Sequence, residues 1–141
     1  MNQIKATVKE IKDLGVVSYI YVQCENTTIK LIKQKVPQWL EVGDNIHCKF
    51  QEASVCVAKD CAKKVSVENC IPATLINVRK NEPLCELTFD SDIGKVVSLI
   101  TIDAYEALEL ESDNSVTMLM RGIDINIDPI LQNLDLKTYS E

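Results

Sequence analysis

The sequence predicts a mainly β protein that folds as two OB-like β-barrels in tandem, each with one short helix. Two observations predict this class: a framework of residues that occurs twice, and a regular alternation of apolar and polar residues within it. The stretches NQIKATVKEI (2–11) and NCIPATLINV (69–78) share Asn, Ile, Ala and Thr at the same spacing. The alternation has the period of β-strands, whose successive side chains point to opposite faces of a sheet.

The repeat continues into the later part of each copy. NIHCKFQEASVCV (45–57) corresponds to SVTMLMRGIDINI (115–127), so the offset between the copies grows from 67 to 70 residues. The apolar positions agree under this shift; they are Ile46, Cys48, Phe50, Val55 and Val57 in the first copy and Val116, Met118, Met120, Ile125 and Ile127 in the second. Both copies are therefore predicted to consist mostly of strands.

One segment of each copy predicts a helix. DAYEALELES (103–112) has Asp103 in position to cap and Glu106 three residues later, which is the pattern of a capping box. The first copy has a shorter, proline-containing equivalent in KVPQWLEVGD (35–44). Strands surrounding one short helix are typical of a small, closed or nearly closed barrel.

The repeat also sets the predicted domain boundaries. We expect a first barrel over residues 1–62 and a second over 66–128, joined by the polar stretch around residues 59–68. The remaining tail, 129–141, has leucines near helical spacing. It either packs on a barrel or docks on a neighbouring chain, and the sequence does not decide between the two.

Composition limits the classes of function. A net charge of -6 and an aromatic content of 5% argue against nucleic-acid binding, which uses clustered Lys and Arg and stacking aromatic side chains. No apolar run resembles a signal peptide or a membrane span, so we expect a cytoplasmic protein without membrane insertion. In that compartment the six cysteines are expected to be free thiols, mostly buried, with Cys56 the most accessible.

The residues point to neither a metal centre nor an enzyme. The single histidine, His47, precedes Cys48, but the spacings on to Cys56 and Cys61 are not those of the paired knuckles of a structural zinc site. No glycine-rich phosphate loop, nucleophile motif or paired acids in a recognisable setting are present. Binding is therefore the favoured class of function.

Several residues of the second copy carry a resemblance. The stretch 66–69 stands where a Ser-Ala-Arg-Asn motif is expected, Thr101 where a middle Thr-x-x-Ser motif begins, and 121–122 where a late Lys-Ala pair lies. The layout resembles the Mop-like, molybdate-binding TOBE domains, here as a tandem pair over residues 2–127. The resemblance implies that the oxyanion-binding residues are Ser66, Val67, Glu68, Asn69, Thr101, Arg121 and Gly122.

The resemblance also implies a ligand and an assembly. Domains of this family bind molybdate or tungstate between the subunits of a homo-oligomer, here expected to be a dimer or trimer, for storage, homeostasis or sensing. A regulator's effector domain is implied if the chain is a fragment. The first copy matches poorly, because Asn2 is kept but Gln51 and Glu52 replace the Lys-Ala pair, so we expect it not to bind an anion on its own.

Glu68 leaves a second hypothesis open. A tetrahedral dianion in an acidic protein needs converging backbone N–H groups, hydroxyls and a cation. With a carboxylate at the motif's arginine position, we expect binding to be lost if Glu68 points inward and to survive if Glu68 faces solvent and the contact there is made by main-chain N–H groups. The alternative function is therefore an oligomerisation or interaction module of the same fold that no longer binds an oxyanion.

Overall fold

A computed structural model describes residues 1–59, 64–110 and 115–130. The first repeat contains strands β1 (Asn2–Asp13), β2 (Ser18–Cys24), β3 (Thr27–Lys33), β4 (Asn45–Phe50) and β5 (Cys56–Ala58). The second contains β6 (Asn69–Asn81), β7 (Leu84–Ser91), β8 (Gly94–Thr101), helix α1 (Ile102–Leu108), β9 (Ser115–Met120) and β10 (Asn126–Pro129). A 3-10 turn precedes the last strand of each repeat, at Glu52–Ser54 and at Gly122–Asp124. The predicted mainly β class is confirmed.

The duplication extends to the details of the strands. β1 and β6 begin at equivalent asparagines and alternate buried and exposed side chains in the same order. Each strand also carries an irregularity at the equivalent position, after Val8 in β1 and after Leu75 in β6. A bulge bends a strand and increases its twist, so the two repeats curl in the same way.

The two repeats exchange their last strands. The structure contains two five-stranded antiparallel sheets, ordered β10-β4-β1-β2-β3 and β5-β9-β6-β7-β8. Strand β5 therefore pairs with the second repeat, and β10 pairs with the first. Separating the two halves would break ladder hydrogen bonds at both ends. The predicted boundaries near residues 62 and 66 adjoin residues 60–63, which are outside the described ranges, and they stay a prediction, as does the tail beyond residue 130.

The alternating apolar side chains form one continuous core. The buried positions include those predicted from the repeat: Ile46, Cys48, Phe50, Val55, Val116, Met118, Met120 and Ile125. Val57 and Ile127, on the exchanged strands, are half-buried against the same core. Because both sheets contribute to this cluster, burial of apolar area stabilises the two halves together.

Most of the described cysteines are buried and Cys56 is exposed, as predicted, but Cys70 is exposed as well. The described ones are all free; Cys24, Cys48 and Cys85 are buried, and Cys56 and Cys70 are exposed. Burial raises the pKa of Cys48 to about 12, which keeps this thiol protonated and unreactive. His47 lies on the opposite face of β4 from that thiol, and the described residues hold no cluster of three or more His, Cys, Asp or Glu side chains suited to a metal ion.

The helix of the second repeat is present, but its cap differs from the prediction. Thr101 is the N-cap, and its Oγ1 accepts a hydrogen bond from the Ala104 N–H at 3.1 Å. Asp103 lies inside the first turn, so its prediction as the cap was wrong. None of the described helices is long and apolar enough to cross a membrane.

The predicted helix of the first repeat was wrong. Residues 35–44 form turns, with Leu40 N–H donating to the Pro37 carbonyl at 3.1 Å as one i to i+3 bond. Pro37 explains the difference, because it has no N–H to give to a helix and it disfavours helical backbone at the residue before it. The second repeat has Ala104 at the equivalent position, which permits α1.

Candidate functional site

Two equivalent asparagines join the repeats at pseudo-symmetric junctions. The Asn69 Oδ1 accepts from the Lys30 N–H at 2.8 Å, and its Nδ2 donates to the Lys30 carbonyl at 2.9 Å. Asn2 makes the same pair of bonds with Val97 N–H and carbonyl, both at 2.8 Å. Each side-chain amide therefore extends the edge strand of the opposite repeat, β3 or β8, like an additional backbone unit.

This role occupies the Asn69 side chain completely. Its Nδ2 also donates to the Met120 carbonyl at 3.1 Å, so both amide hydrogens are used. Asn69 is 4% exposed, which leaves its amide no surface for a ligand. Both asparagine side chains thus satisfy backbone groups, and a contact of Asn69 with an oxyanion would have to come from its main chain.

Glu68 and Gly122 form the centre of the candidate site. Glu68 is exposed as a residue, yet its Oε1 accepts a hydrogen bond from the Gly122 N–H at 2.7 Å. Gly122 is buried against β3, and a Cβ there would lie 2.6 Å from the Lys30 carbonyl oxygen. The carboxylate therefore lies inward at its tip, on a main-chain N–H that opens a 3-10 turn and suits an anionic oxygen.

Arg121 supplies a cation next to this N–H, but it is paired. Its Nε and Nη2 donate to the two carboxylate oxygens of Asp124 at 2.8 and 3.2 Å. The Arg121 side chain is 65% exposed, so the pair is a surface ion pair of modest strength. A guanidinium has five N–H donors, and three remain for another acceptor.

The other predicted residues divide between two places. Ser66 and Val67 directly precede Glu68 in the sequence, just before β6. Ser66 is exposed and Val67 is half-buried. Thr101 ends β8, which packs against the 3-10 turn of the first repeat rather than that of the second. Its hydroxyl oxygen caps α1. The structure thus brings Glu68 and Gly122 into contact, bonds the Asn69 side chain to Lys30 and Met120, and places Thr101 at the opposite junction.

Residues of β3 take the place that was predicted for Thr101. The turn at Gly122–Asp124 packs on β3, with Lys30 and Ile32 nearest to Gly122. Lys33 at the end of β3 donates from Nζ to Asn126 Oδ1 at 3.0 Å. These lysines cannot be identified from a motif sought within one copy, because they belong to the first copy and the motif to the second. Pairing the start of one copy with the middle of the other would have identified them.

Comparison with known proteins places the chain by fold. No family model matches the sequence, and no curated protein matches it either. Among solved structures, the cytoplasmic molybdate-binding protein ModG, in a crystal form with molybdate bound, superposes with a TM-score of 0.85. The match covers 92% of this chain and 96% of that one, at 16% sequence identity. The chain therefore has the fold of ModG along nearly its whole length, which confirms the tandem OB-like architecture predicted from the repeat.

Proposed function

We propose that this protein binds a tetrahedral oxyanion, molybdate or tungstate, in the cytoplasm. The observation that carries the proposal is the shared fold with ModG, whose structure contains molybdate, over 92% of the chain. No catalytic role enters the proposal, since binding alone accounts for the groups at the junction. Storage, homeostasis or sensing of the anion are the roles that such binding would serve.

The proposed site lies at the second repeat's junction with β3. Ser66, the Gly122 N–H and the free N–H groups of Arg121 would donate to the oxygens of the ligand, and the main chain of 67–69 would border it. The Glu68 contact supports this placement, because it marks the Gly122 N–H as a donor to an anionic oxygen. With a net charge of -6 the protein attracts no anion by its overall field, so local donors have to suffice.

In this proposal the Glu68 carboxylate competes with the ligand. An incoming oxyanion displaces it from the Gly122 N–H, and the side chain turns to solvent, to which the residue is already exposed. Two negative groups on one donor repel each other. One pair of unit charges at about 4 Å in water is worth about 1 kcal/mol, and the ligand carries two charges.

The test is calorimetric titration of the purified protein with molybdate, tungstate and sulfate. We expect the wild type to bind molybdate and tungstate, and Glu68→Ala to bind about thirtyfold more tightly, because about 2 kcal/mol of repulsion is removed and one N–H donor is released. Glu10→Ala is the matched control, since it removes an exposed carboxylate from β1 without touching a backbone N–H. Heat no greater than that of buffer at millimolar anion, in wild type and Glu68→Ala alike, would refute the proposal.

A specific observation favours a second candidate, an oligomerisation or interaction module without a ligand. The Gly122 N–H and the Arg121 guanidinium both have carboxylate partners within the chain, Glu68 and Asp124. Glu68→Arg separates the two candidates. Tight oxyanion binding by this variant, with none by the wild type, would identify an intact but disabled pocket, whereas a wild type that already binds supports the first proposal.

Both candidates include self-association. We propose a homo-oligomer, dimer or trimer, since the resemblance places its ligands between subunits. Light scattering at several protein concentrations, with and without molybdate, measures the mass directly. A monomer under all conditions would argue against subunit-interface binding, and it would leave the junction within one chain as the place to look for the ligand.

A further inference from the structure

Strand β1 continues past the segments that pair with it on one of its sides. β4 pairs with the first part of β1, and the turn at residues 41–44 then makes two main-chain hydrogen bonds with Val8, of 2.8 and 2.9 Å. Beyond Val8, residues 9–13 have β2 on one side and no strand of the described ranges on the other. These residues are named here the first free edge, because main-chain groups on the open side can pair with another strand.

Strand β6 has an equivalent segment. β9 pairs with β6 only as far as Thr74, so residues 76–80 have β7 on one side and no described strand on the other. This second free edge matches the first residue by residue at the offset of 67, with INVRK in place of KEIKD. Each edge has one half-buried aliphatic residue in the middle, Ile11 or Val78, which packs against the core. The fold thus offers the same edge twice, with different charges.

The charges of the first free edge are complementary to those of a second copy of itself. Two such strands pair symmetrically and antiparallel when the pair is centred on Ile11. In that register Lys9 of one copy lies opposite Asp13 of the other. Glu10 likewise lies opposite Lys12. Because a two-fold axis makes each contact occur twice, the pair contains four cross-strand contacts of opposite charge and none of like charge.

The other combinations of the two edges lack this complementarity. Two copies of the second free edge bring together four cations, from Arg79 and Lys80, and no carboxylate. A first edge that faces a second one at equivalent positions makes one attractive pair, Glu10 with Arg79, and one repulsive pair, Lys9 with Lys80. Pairing of the first edge with itself is therefore the favoured combination, and it closes after two copies.

Exposed apolar side chains flank the first free edge. Leu14 and Val16, at the tip of the β1–β2 hairpin, are 54% and 85% exposed, and Val42 on the turn at 41–44 is 61% exposed. In the symmetric pair each tip follows Asp13 and comes next to the turn of the other copy. The pairing would therefore also remove apolar surface from water.

The contacts that these residues make within the chain are compatible with the pairing. Asp13 Oδ1 accepts the Gly15 N–H at 2.9 Å, which leaves its second oxygen for a lysine. Glu10 and Lys12 lie 3.8 Å apart as a weak, exposed ion pair on the same face of β1. The irregularity after Val8 twists the strand locally, and from Glu10 onward β1 is again paired regularly with β2.

We propose that two copies of this protein associate through the first free edge, as a symmetric dimer whose β1 strands pair antiparallel about Ile11. The partner strand lies in line with β4, which already runs antiparallel to β1. The dimer is one form of the homo-oligomer proposed above and rests on that part of the proposed function. β2 separates the edge from β3 and the Glu68–Gly122 contact, so the oxyanion site takes no part in it. Two paired five-residue segments make a small interface, and the dimer should be weak.

The first experiment measures the dissociation constant of the dimer by analytical ultracentrifugation of the full chain. Glu10→Lys replaces the attraction to Lys12 of the other copy by repulsion and should raise this constant about tenfold. Glu10→Lys combined with Lys12→Glu exchanges the two charges, keeps the net charge and should restore the wild-type value. Asp90→Lys is the control, since it makes the same change of charge at an exposed position of β7 and should have no effect.

Three results of this experiment would overturn the proposed surface. They are an equal dissociation constant in the wild type and Glu10→Lys, a loss in Glu10→Lys that the exchanged pair does not restore, and a mass larger than that of a dimer. A monomer at every concentration would overturn the self-association as well. Absence of molybdate binding in calorimetry, with the dimer intact, would count against the oxyanion part of the proposed function alone.

The second experiment locates the interface by amide hydrogen exchange of the wild type, below and well above the measured dissociation constant. We expect amides of residues 9–13 that point to the open side to exchange about fivefold more slowly at the high concentration. Amides of residues 76–80 should exchange at the same rate at both. Equal protection of the two edges, or protection of the second edge alone, would overturn the proposal.

Discussion

The two repeats share a framework and differ at their junctions, and the difference separates what the fold requires from what it leaves open. Asn2 and Asn69 make the same two bonds to the opposite edge strand, with distances within 0.1 Å of each other. The polar contacts next to the two asparagines differ, because the carboxylate belongs to the start of the second repeat but to the turn of the first. Glu68 accepts from the turn of its repeat, whereas at the equivalent place the Met1 amine donates to the Glu52 carboxylate.

This contrast indicates which contacts folding requires and which positions can change their chemistry without loss of the fold. A buried backbone amide without a partner costs more than a surface ion pair contributes, so the asparagine bonds cannot vary freely. The charged residues around the asparagines can vary, because water makes hydrogen bonds to exposed polar groups when their protein partner is replaced.

Gly122→Ala tests a close approach between the turn of the second repeat and β3, and it should have the largest effect. The added Cβ would lie 2.6 Å from the Lys30 carbonyl oxygen, and 3.2 Å from Ile32 Cγ1, so β3 and the turn have to separate. We expect a loss of about 3 kcal/mol in the free energy of unfolding, measured in urea. The equivalent position in the first repeat is Glu52, and Glu52→Ala should cost less than about 1 kcal/mol. Equal losses would contradict the packing difference between the two turns.

Asn69→Ala and Asn2→Ala test the element that the repeats share. Each leaves one N–H and one carbonyl of the opposite edge strand without a partner, and we expect about 2 kcal/mol for each variant, slightly more for Asn69 because of its third bond. Hydrogen exchange locates the effect. The Lys30 amide should exchange faster only in Asn69→Ala, and the Val97 amide only in Asn2→Ala.

The exposed Asn81→Ala, at the end of β6, is the control for both asparagine variants. It should leave the stability and both exchange rates unchanged. If Lys30 and Val97 exchanged equally in the two asparagine variants, the junctions would be coupled through the core rather than formed by separate local bonds. That result would break the comparison between the halves.

The strands and their buried faces could be predicted because alternation is a local property. Ile46, Cys48 and Phe50 alternate in the sequence, and they are buried whichever neighbour their strand pairs with. The exchange of β5 and β10 could not be predicted in this way. A short strand such as Cys56–Ala58 has the same pattern whether it pairs within its own repeat or with the other one.

The same limit explains the outcome at the candidate site. Glu68 and Gly122 belong to one repeat and were expected together, and the structure brings them into contact. Thr101 belongs to that repeat as well, yet it lies at the other junction, because a site between repeats takes its parts from both. Lys33 was overlooked for the same reason, since it stands in the repeat that lacked the family's motif.

Thr101→Ala should have the smallest effect on stability. It tests whether the Thr101 hydroxyl only caps α1 or also contacts an oxyanion. Its Oγ1 accepts the Ala104 N–H at 3.1 Å, and loss of an N-cap costs about 1 kcal/mol. The first repeat has no helix at the equivalent turn, so nothing there depends on a cap. Thr101→Ser keeps the cap and should restore the stability.

If Thr101 only caps α1, both variants should bind molybdate as the wild type does in calorimetry. A loss of affinity in Thr101→Ala that Thr101→Ser restores, larger than the change in stability, would instead give this hydroxyl a ligand and place a second oxyanion at the junction of Asn2 and β8.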